Sequence, residues 1–326
     1  MKNTIKIGIT IGDADGIGGE IIEKVLADKR FTELYPLEIF RHNDDPSGVK
    51  ALYAAADALR AKTIDALVTC PINKAHAAAD GFAHIGHTEY FAKEFGVAGR
   101  EPSMFMVSDE LRVVLVTKHV QLEKVASLIT TQRVLDTIRS VRRSLQVDFG
   151  IIDPRIAVLG LNPHAGENGL LGVEEQKFIT PAINAALEEG IFAFGPFSAD
   201  GFFGSGAYAK YDVTVAMYHD QGLIPFKTLA MDRGVNFTAG LPVVRTSPAH
   251  GTGADIVGRG IASDNSLRAA IYTATDIVRS RRAFAAMTAN PLQKQNQEQA
   301  GDRHSDRPAR EQNVDDMFAD EMQREK

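Results

Sequence analysis

An α/β fold is predicted for this chain by two features of its sequence. Short β-branched runs alternate with longer Ala- and Leu-rich stretches of helical spacing. The β-branched runs are apolar almost throughout rather than alternating, which is the pattern of strands covered by helices on both faces. A length of 326 residues, 44% hydrophobic and 24% charged, supports one large or two medium domains with real cores.

In chain order, the first strand is expected over Lys6–Ile11, where five of six residues are β-branched or small and apolar apart from Lys6. Gly12–Glu20 follows as a glycine-rich turn into a helix over Glu20–Leu26. A second helix is expected over Val49–Leu59, a strand over Ala66–Thr69, and a helix opening at Gly86-His-Thr-Glu89. Val113–Thr117 reads as a strand, Leu122–Leu128 and Val134–Leu145 as helices, Arg155–Leu161 as a strand and Glu174–Glu188 as a helix. Val213–Met217 reads as a strand and Leu267–Ala286 as a long helix. The stretch holding Lys227, Asn236 and Arg245 is punctuated by Gly and Pro and reads as loops with few regular elements. Pro291–Lys326 carries few large apolar residues to offset its ordering entropy, so it is expected to be a disordered tail, with a short helix around Val314–Met322.

Composition excludes several classes. A net charge of −6 disfavours sequence-independent nucleic-acid binding, which needs a cationic footprint. The lone Cys70 rules out an intrachain disulfide and a cysteine zinc cluster, and fits a reducing compartment. The first residues have no signal-peptide pattern, and no apolar run approaches the ~20 residues of a membrane helix. A cytoplasmic protein without membrane or nucleic-acid partners is expected.

Ligands of open α/β sheets bind beyond the carboxyl ends of the strands. Three of those positions carry histidine: His119 after Val113–Thr117, His164 after Arg155–Leu161 and His219 after Val213–Met217. Three imidazoles with an open position make a catalytic metal site, and Asp220 and Asp200 stand near as acid/base or ligand-orienting carboxylates. The glycines of Gly12–Glu20 miss the dinucleotide fingerprint, because Ile21 stands where its last glycine belongs. Lys74, the helix start at Gly86–Glu89, Lys227, Asn236 and Arg245 are candidate anion binders. The small and hydroxyl residues of Arg245–Asp255 would let backbone approach a ligand closely. These residues alone also fit a metal-dependent hydrolase or a catalytically silent metal- and phosphate-binding protein.

Taken in order, the runs Gly12–Glu20, Pro71–Lys74, Gly86–Tyr90, His119, Leu161–Gly169, Ala216–Pro225, Asn236–Pro242 and Arg245–Gly260 resemble the motifs of the 4-hydroxythreonine-4-phosphate dehydrogenase family of pyridoxal phosphate synthesis, from Lys6 to about Thr288. The resemblance implies a two-domain fold like that of isocitrate and isopropylmalate dehydrogenases, with the active site in the interdomain cleft of a homodimer. The implied domains are 1–82 with 222–290, and 83–221 carrying the histidines. The resemblance further implies one divalent metal per subunit (Zn, Mg or Co) on His119, His164 and His219, one of them from the partner subunit. It assigns substrate contacts to His87, Thr88, Lys227, Asn236 and Arg245, catalysis to Lys227 with Asp220 and Asp200, and NAD, or NADP, to the loop of His250, Gly251 and Asp255. The implied reaction oxidises 4-phosphohydroxy-L-threonine to a β-keto acid that decarboxylates to 3-amino-2-oxopropyl phosphate. A four-carbon sugar-acid phosphate, threonate or erythronate 4-phosphate, is the alternative substrate. Three departures stand out. The family has several dozen more residues between the strand near Leu37–Phe40 and the helix at Val49–Leu59, where only Arg41–Lys50 bridges here. Ala249 replaces a common carboxylate, and Arg259 a common lysine.

Overall fold

Ten strands form one continuous sheet. They are β1 (Ile7–Thr10), β2 (Leu37–Phe40), β3 (Ala66–Thr69), β4 (Ser103–Val107), β5 (Arg112–Leu115), β6 (Ile156–Leu159), β7 (Ala193–Phe197), β8 (Val213–Ala216), β9 (Val235–Ala239) and β10 (Val244–Pro248). Their spatial order is β2-β1-β3-β10-β9-β4-β5-β8-β6-β7. The computed structural model describes residues 4–84, 86–99 and 101–290. The expected tail Pro291–Lys326 and its helix lie outside the described residues. The described residues up to Ala286 form one compact unit.

The sheet is mixed. β2, β1, β3 and β10 run parallel, as do β5, β8, β6 and β7. Between these halves, β9 is antiparallel to both β10 and β4, and β4 is antiparallel to β5. The two halves therefore point in opposite directions along the sheet. Short links explain the reversal, since antiparallel neighbours need only a tight turn while parallel ones need a crossover. β4 and β5 are joined by a turn in which the Ser108 N–H donates to the Leu111 carbonyl at 3.0 Å. The sheet passes unbroken between the two expected domains, through the β9–β4 pairing.

The strands expected near Lys6, Ala66, Val113, Arg155 and Val213 are present, and nearly every residue in them is buried. The helix expected at Leu122–Leu128 is present with those bounds, and four others hold with small shifts at Gly18–Ala27, Val49–Arg60, Thr131–Val147 and Asn265–Thr288. The helix expected at Glu174–Glu188 begins with a π turn, Glu175–Ile179, before Thr180–Glu188 continues as α-helix.

The segment read as loops around Lys227, Asn236 and Arg245 is instead regular. Lys227 lies in the helix His219–Ala230, Asn236 in β9 and Arg245 in β10. The glycines that suggested loops serve packing. A side chain at Gly222 would meet Val113 Cγ1 at 2.6 Å, so glycine lets this helix lie directly on β5. β7 was missed for a similar reason: it contains Gly195 and Pro196, and it is an edge strand, where proline is tolerated.

The Arg41–Lys50 bridge is more than a turn. The buried Asp45 carboxylate accepts from the N–H groups of Val49 at 3.1 Å and Ala51 at 2.9 Å, capping the helix Val49–Arg60. Gly48, at φ +77°, packs so close that a Cβ there would stand 2.4 Å from the Gly12 carbonyl. The Ala14 N–H donates to the Pro46 carbonyl at 2.7 Å. The short bridge is thus clamped onto the glycine-rich turn after β1. Among the described residues, no helix is long and apolar enough to cross a membrane.

Candidate active site

A cavity of about 280 Å³ lies over the antiparallel seam. Met104 and Met106 of β4, Asn236 of β9 and Arg245, Ser247 and Pro248 of β10 line it, together with Thr69 at the end of β3. The loop after β5 contributes His119, and the helix after β8 contributes its first residue, His219. The site therefore does not sit along a single sheet edge, as the strand-end argument expected. It lies between the oppositely directed halves, and both supply residues.

Arg245 dominates the electrostatics. It is 2% exposed, and its guanidinium donates to Thr69 Oγ1 from Nε at 3.0 Å and to Thr238 Oγ1 at 3.2 Å. Burial pulls its pKa down to about 9, with Glu89 the one charge acting to raise it. Burial likewise pushes His87 well below the ordinary histidine value, and the Arg245 charge adds to the effect. His87 is thus a neutral imidazole beside a buried cation. Three polar atoms of the lining are shut off from solvent with no hydrogen-bond partner: His87 Nε2, Asn236 Oδ1 and His250 Nε2. Such groups are costly unless a ligand satisfies them. Lys74 and Lys227 add positive charge, and Glu89 is the lone carboxylate of the lining. This arrangement selects an anion carrying hydrogen-bonding oxygens.

Five expected substrate contacts, His87, Thr88, Lys227, Asn236 and Arg245, are brought together in this one lining. His87 and Thr88 open the helix His87–Phe95, whose first N–H groups are free to meet an anion. Lys74 follows Asn73, whose side chain caps its own short helix by accepting from the Ala75 N–H at 2.9 Å. The loop is braced from below. The buried Asp13 carboxylate accepts from the Asn73 N–H at 3.3 Å and the Asp15 N–H at 2.9 Å, and meets His76 Nδ1 at 2.9 Å.

His119 and His219 face each other with ring centroids 5.7 Å apart. With metal–nitrogen bonds of about 2.0–2.1 Å, two rings at that separation can reach one ion. His164 does not join them within one chain. Among the described residues, the one set of three ligand atoms within 4.8 Å of each other is Asp13, Asp15 and His76. The His164 side chain is 65% exposed and stands near Asp200, whose carboxylate is held low chiefly by Ser198 and in small part by His164.

The three imidazoles share one feature. Each turns Nδ1 toward a carboxylate: His119 toward Glu89 at 3.9 Å, His164 toward Glu167 at 3.2 Å, and His219 toward Asp220 at 2.7 Å. For His164 and His219 the contact is a hydrogen bond that leaves Nε2 as the ligating atom, the outer arrangement of histidine metal ligands, whereas Glu89 stands too far from His119 for one. Burial also lowers the His119 pKa, favouring the neutral form that binds metal. Asp220 and Asp200, expected as catalytic groups, are outside the cavity lining and sit beside His219 and His164 respectively.

The loop that carries His164 is unusual. His164, Ala165, Gly166, Glu167 and Asn168 have φ of 52, 50, 80, 41 and 57°. Each non-glycine residue in that left-handed region costs roughly 1–2 kcal/mol, so surrounding contacts must hold it.

Of the expected cofactor loop, His250 lines the cavity, while Gly251 and Asp255 are exposed outside it. The Thr252 carbonyl accepts from the Ile17 N–H at 2.9 Å, so this loop rests on the glycine-rich turn after β1. Sequence reasoning named the runs that hold Glu89, Glu167 and Ser247 without giving these residues a role, and it missed Thr69. The i, i+3 spacing of His164 and Glu167 is the one local signal among them.

Residues 36–274 match the family model described as pyridoxal phosphate biosynthetic protein PdxA. The chain is 42% identical over 351 aligned positions to the 4-hydroxythreonine-4-phosphate dehydrogenase of Bacteroides thetaiotaomicron, covering 92% of this chain and 96% of that one. That alignment has more positions than the chain has residues, so the relative carries residues this chain lacks. The Sulfurihydrogenibium protein of the same name is 36% identical, covering 85% of this chain and 100% of its own length. Among solved structures, the Klebsiella pneumoniae 4-hydroxythreonine-4-phosphate dehydrogenase superposes with a TM-score of 0.71 at 31% identity, over 85% of this chain and 98% of that one.

Proposed function

The chain belongs to the PdxA family of pyridoxal phosphate biosynthetic proteins, and from that premise we propose that it is a metal-dependent 4-hydroxythreonine-4-phosphate dehydrogenase. It oxidises the secondary alcohol of 4-phosphohydroxy-L-threonine with NAD, or NADP, and the β-keto acid formed decarboxylates to 3-amino-2-oxopropyl phosphate.

One observation carries the reading: Arg245 is a buried guanidinium with no carboxylate in ion-pair contact among the described residues, set beside unpartnered atoms of His87 and Asn236. A substrate phosphate supplies the missing charge and an acceptor for His87, and a substrate hydroxyl can donate to Asn236 Oδ1. Asn236 can orient it and Thr88 can donate to it. Lys227 and Lys74 flank the remaining volume, where an ammonium can clamp a carboxylate or hand over a proton.

The donor set fits a divalent ion, since the two rings of His119 and His219 lie 5.7 Å apart and the His219 Nδ1 is held by Asp220, which leaves its Nε2 for the ion. His164 completes the set in the assembled dimer. An ion held by these histidines would supply Lewis-acid polarisation of the substrate alcohol, and a bound nicotinamide would supply the hydride acceptor. His250, with its shielded and unpartnered Nε2, is the residue of the chain best suited to meet that cofactor.

A homodimer is part of the proposal. Val120 and Leu122 follow His119, Leu170, Leu171 and Val173 follow His164, and Ile224 follows His219; all are exposed. Apolar side chains beside all three ligand positions suit coverage by a second subunit. A cytoplasmic location is proposed with it, in keeping with the lone Cys70.

One observation favours a second substrate. Glu89 is the single lining carboxylate, and it faces His119, so a substrate ammonium has little to pair with. Threonate or erythronate 4-phosphate, which lack the amino group, would need no such partner.

The test is NADH formation by the purified protein on 4-phosphohydroxy-L-threonine and on the two sugar-acid phosphates, with and without a chelator. Turnover of the first that stops on metal removal supports the proposal. Turnover that survives complete metal removal contradicts it, and turnover of the sugar acids alone transfers the assignment to the second reading.

A further inference from the structure

A single side chain ties together two of the loops that carry the proposed ligands. Gln221 lies in the first turn of the helix His219–Ala230. Its Oε1 accepts from the Met217 N–H at 2.7 Å, two residues before His219. Its Nε2 donates to the Gly160 carbonyl at 2.7 Å, at the end of β6 and four residues before His164. The amide uses both ends at once, and they span two adjacent strands, β8 and β6.

The chain of contacts continues past Gly160. The next two N–H groups, of Leu161 and Asn162, both donate to Glu175 Oε1 at 2.7 Å, and the Asn162 side chain donates to Glu175 Oε2 at 2.9 Å. Glu175 is 3% exposed and has no ion pair with a lysine, arginine or histidine among the described residues. Its charge is answered by this loop alone. Its carboxylate also seats Gly166, where a Cβ would stand 2.6 Å from Oε2. Glu175 thus holds the segment that leads into the left-handed run from His164 to Asn168 and packs on Gly166 within it, while Gln221 fixes Gly160 at the base of the segment.

We propose that Gln221 is a positioning residue that, with Glu175 as the second anchor, fixes the His164 loop and the start of the His219 helix in each chain, and so tunes the affinity of the three-histidine cation sites that these segments complete together with the partner subunit. Gln221 touches neither imidazole, and it acts through the backbone that bears them. Whichever subunit each ligand comes from, the register between the two loops is fixed within one chain. The proposal rests on the reading of His164 and His219 as ligands of one ion. Partners of metal ligands outside the coordination sphere contribute about 10–100-fold to metal affinity, which sets the expected size of the effect.

The test uses Co2+ as the probe on the full-length protein, with affinity from calorimetry and coordination from visible absorption. Gln221→Met, of similar size but without either hydrogen bond, is expected to weaken Co2+ binding about 10–100-fold and to change the absorption spectrum, with Tm in chelator close to the wild type. Gln221→Glu keeps the acceptor for Met217 but turns a carboxylate toward the Gly160 carbonyl, and it is expected to weaken binding as well. Should Gln221→Met prove unstable, Gln221→Glu carries the test by itself. Wild-type Co2+ affinity and spectrum in either folded variant overturn the proposal, as does a lowered Tm with unchanged affinity, which marks a purely structural role. His219→Ala is the control. If it binds Co2+ as tightly as the wild type, the metal reading falls and the proposal with it; if it loses Co2+ while Gln221→Met does not, only the positioning role is lost.

Discussion

The Arg245 guanidinium rests on the hydroxyl of Thr69, 3.0 Å from Nε, deep inside the protein and without a carboxylate in ion-pair contact among the described residues. A buried charge held by hydroxyl groups alone destabilises the free protein and stabilises an anion complex. Arg245→Met is therefore expected to leave the free protein as stable as the wild type or up to about 1–2 kcal/mol more stable. Inorganic phosphate should raise the wild-type Tm and leave that of the variant unmoved. Thermal melts in phosphate and in chloride decide it, and a phosphate-induced rise that persists in the variant contradicts the assignment.

His87 should make stability depend on pH. Its pKa is depressed in the folded protein by burial first and by Arg245 second, while the unfolded chain titrates near 6.5. The unfolded state then binds more protons below that pH, so stability is complete above about 6.5 and is lost as pH falls toward the folded pKa. The slope reaches about 1.4 kcal/mol per pH unit for one proton. Denaturant melts from pH 7 to pH 5 should show a shallower loss for His87→Gln than for the wild type, and parallel curves would refute the assignment.

His164 is exposed and packs little, so His164→Ala should abolish metal-dependent turnover while changing stability by less than about 1 kcal/mol. Activity together with urea melts would show it, and a variant that keeps normal turnover would remove His164 from the ligand set.

Ile224 is 64% exposed five residues beyond His219. Ile224→Asp should shift the protein from dimer to monomer and lower activity with it, because a charge on a covered apolar face must be desolvated. Sedimentation velocity reads the change, and an unaltered dimer would place the interface elsewhere.

The shortened Arg41–Lys50 bridge depends on Asp45. Asp45→Ala leaves the Ala51 N–H buried without its acceptor and the Val49 N–H with the 3.3 Å contact to Ser47 Oγ, and should cost about 1–3 kcal/mol. Asp45→Asn should recover part of that loss in the same urea melts, and equal stability of all three proteins would show that the cap is not what holds the bridge.

Local spacing was enough to identify the apolar strands at Ile7–Thr10, Ala66–Thr69 and Val213–Ala216 and the helices between them. It also marked His119, His164 and His219 as strand-end residues, because burial on both faces and helical periodicity are properties of a few consecutive side chains. It misread the segment of Lys227, Asn236 and Arg245, where Gly222, Gly234 and Pro225 look like loop punctuation but sit in a packed helix and next to a strand.

What the sequence alone determined, then, is the alternation of strands and helices and the chemical types available at the strand ends. The tertiary structure decided the antiparallel seam, the approach of His119 to His219, the burial of Arg245 and the linkage of two loops by Gln221. Each of these depends on residues far apart in the chain, 100 positions for the two histidines and 176 for Thr69 and Arg245. Such separations leave no periodic trace, because the energy that fixes them comes from packing and desolvation in the folded sheet and not from the preferences of neighbouring residues.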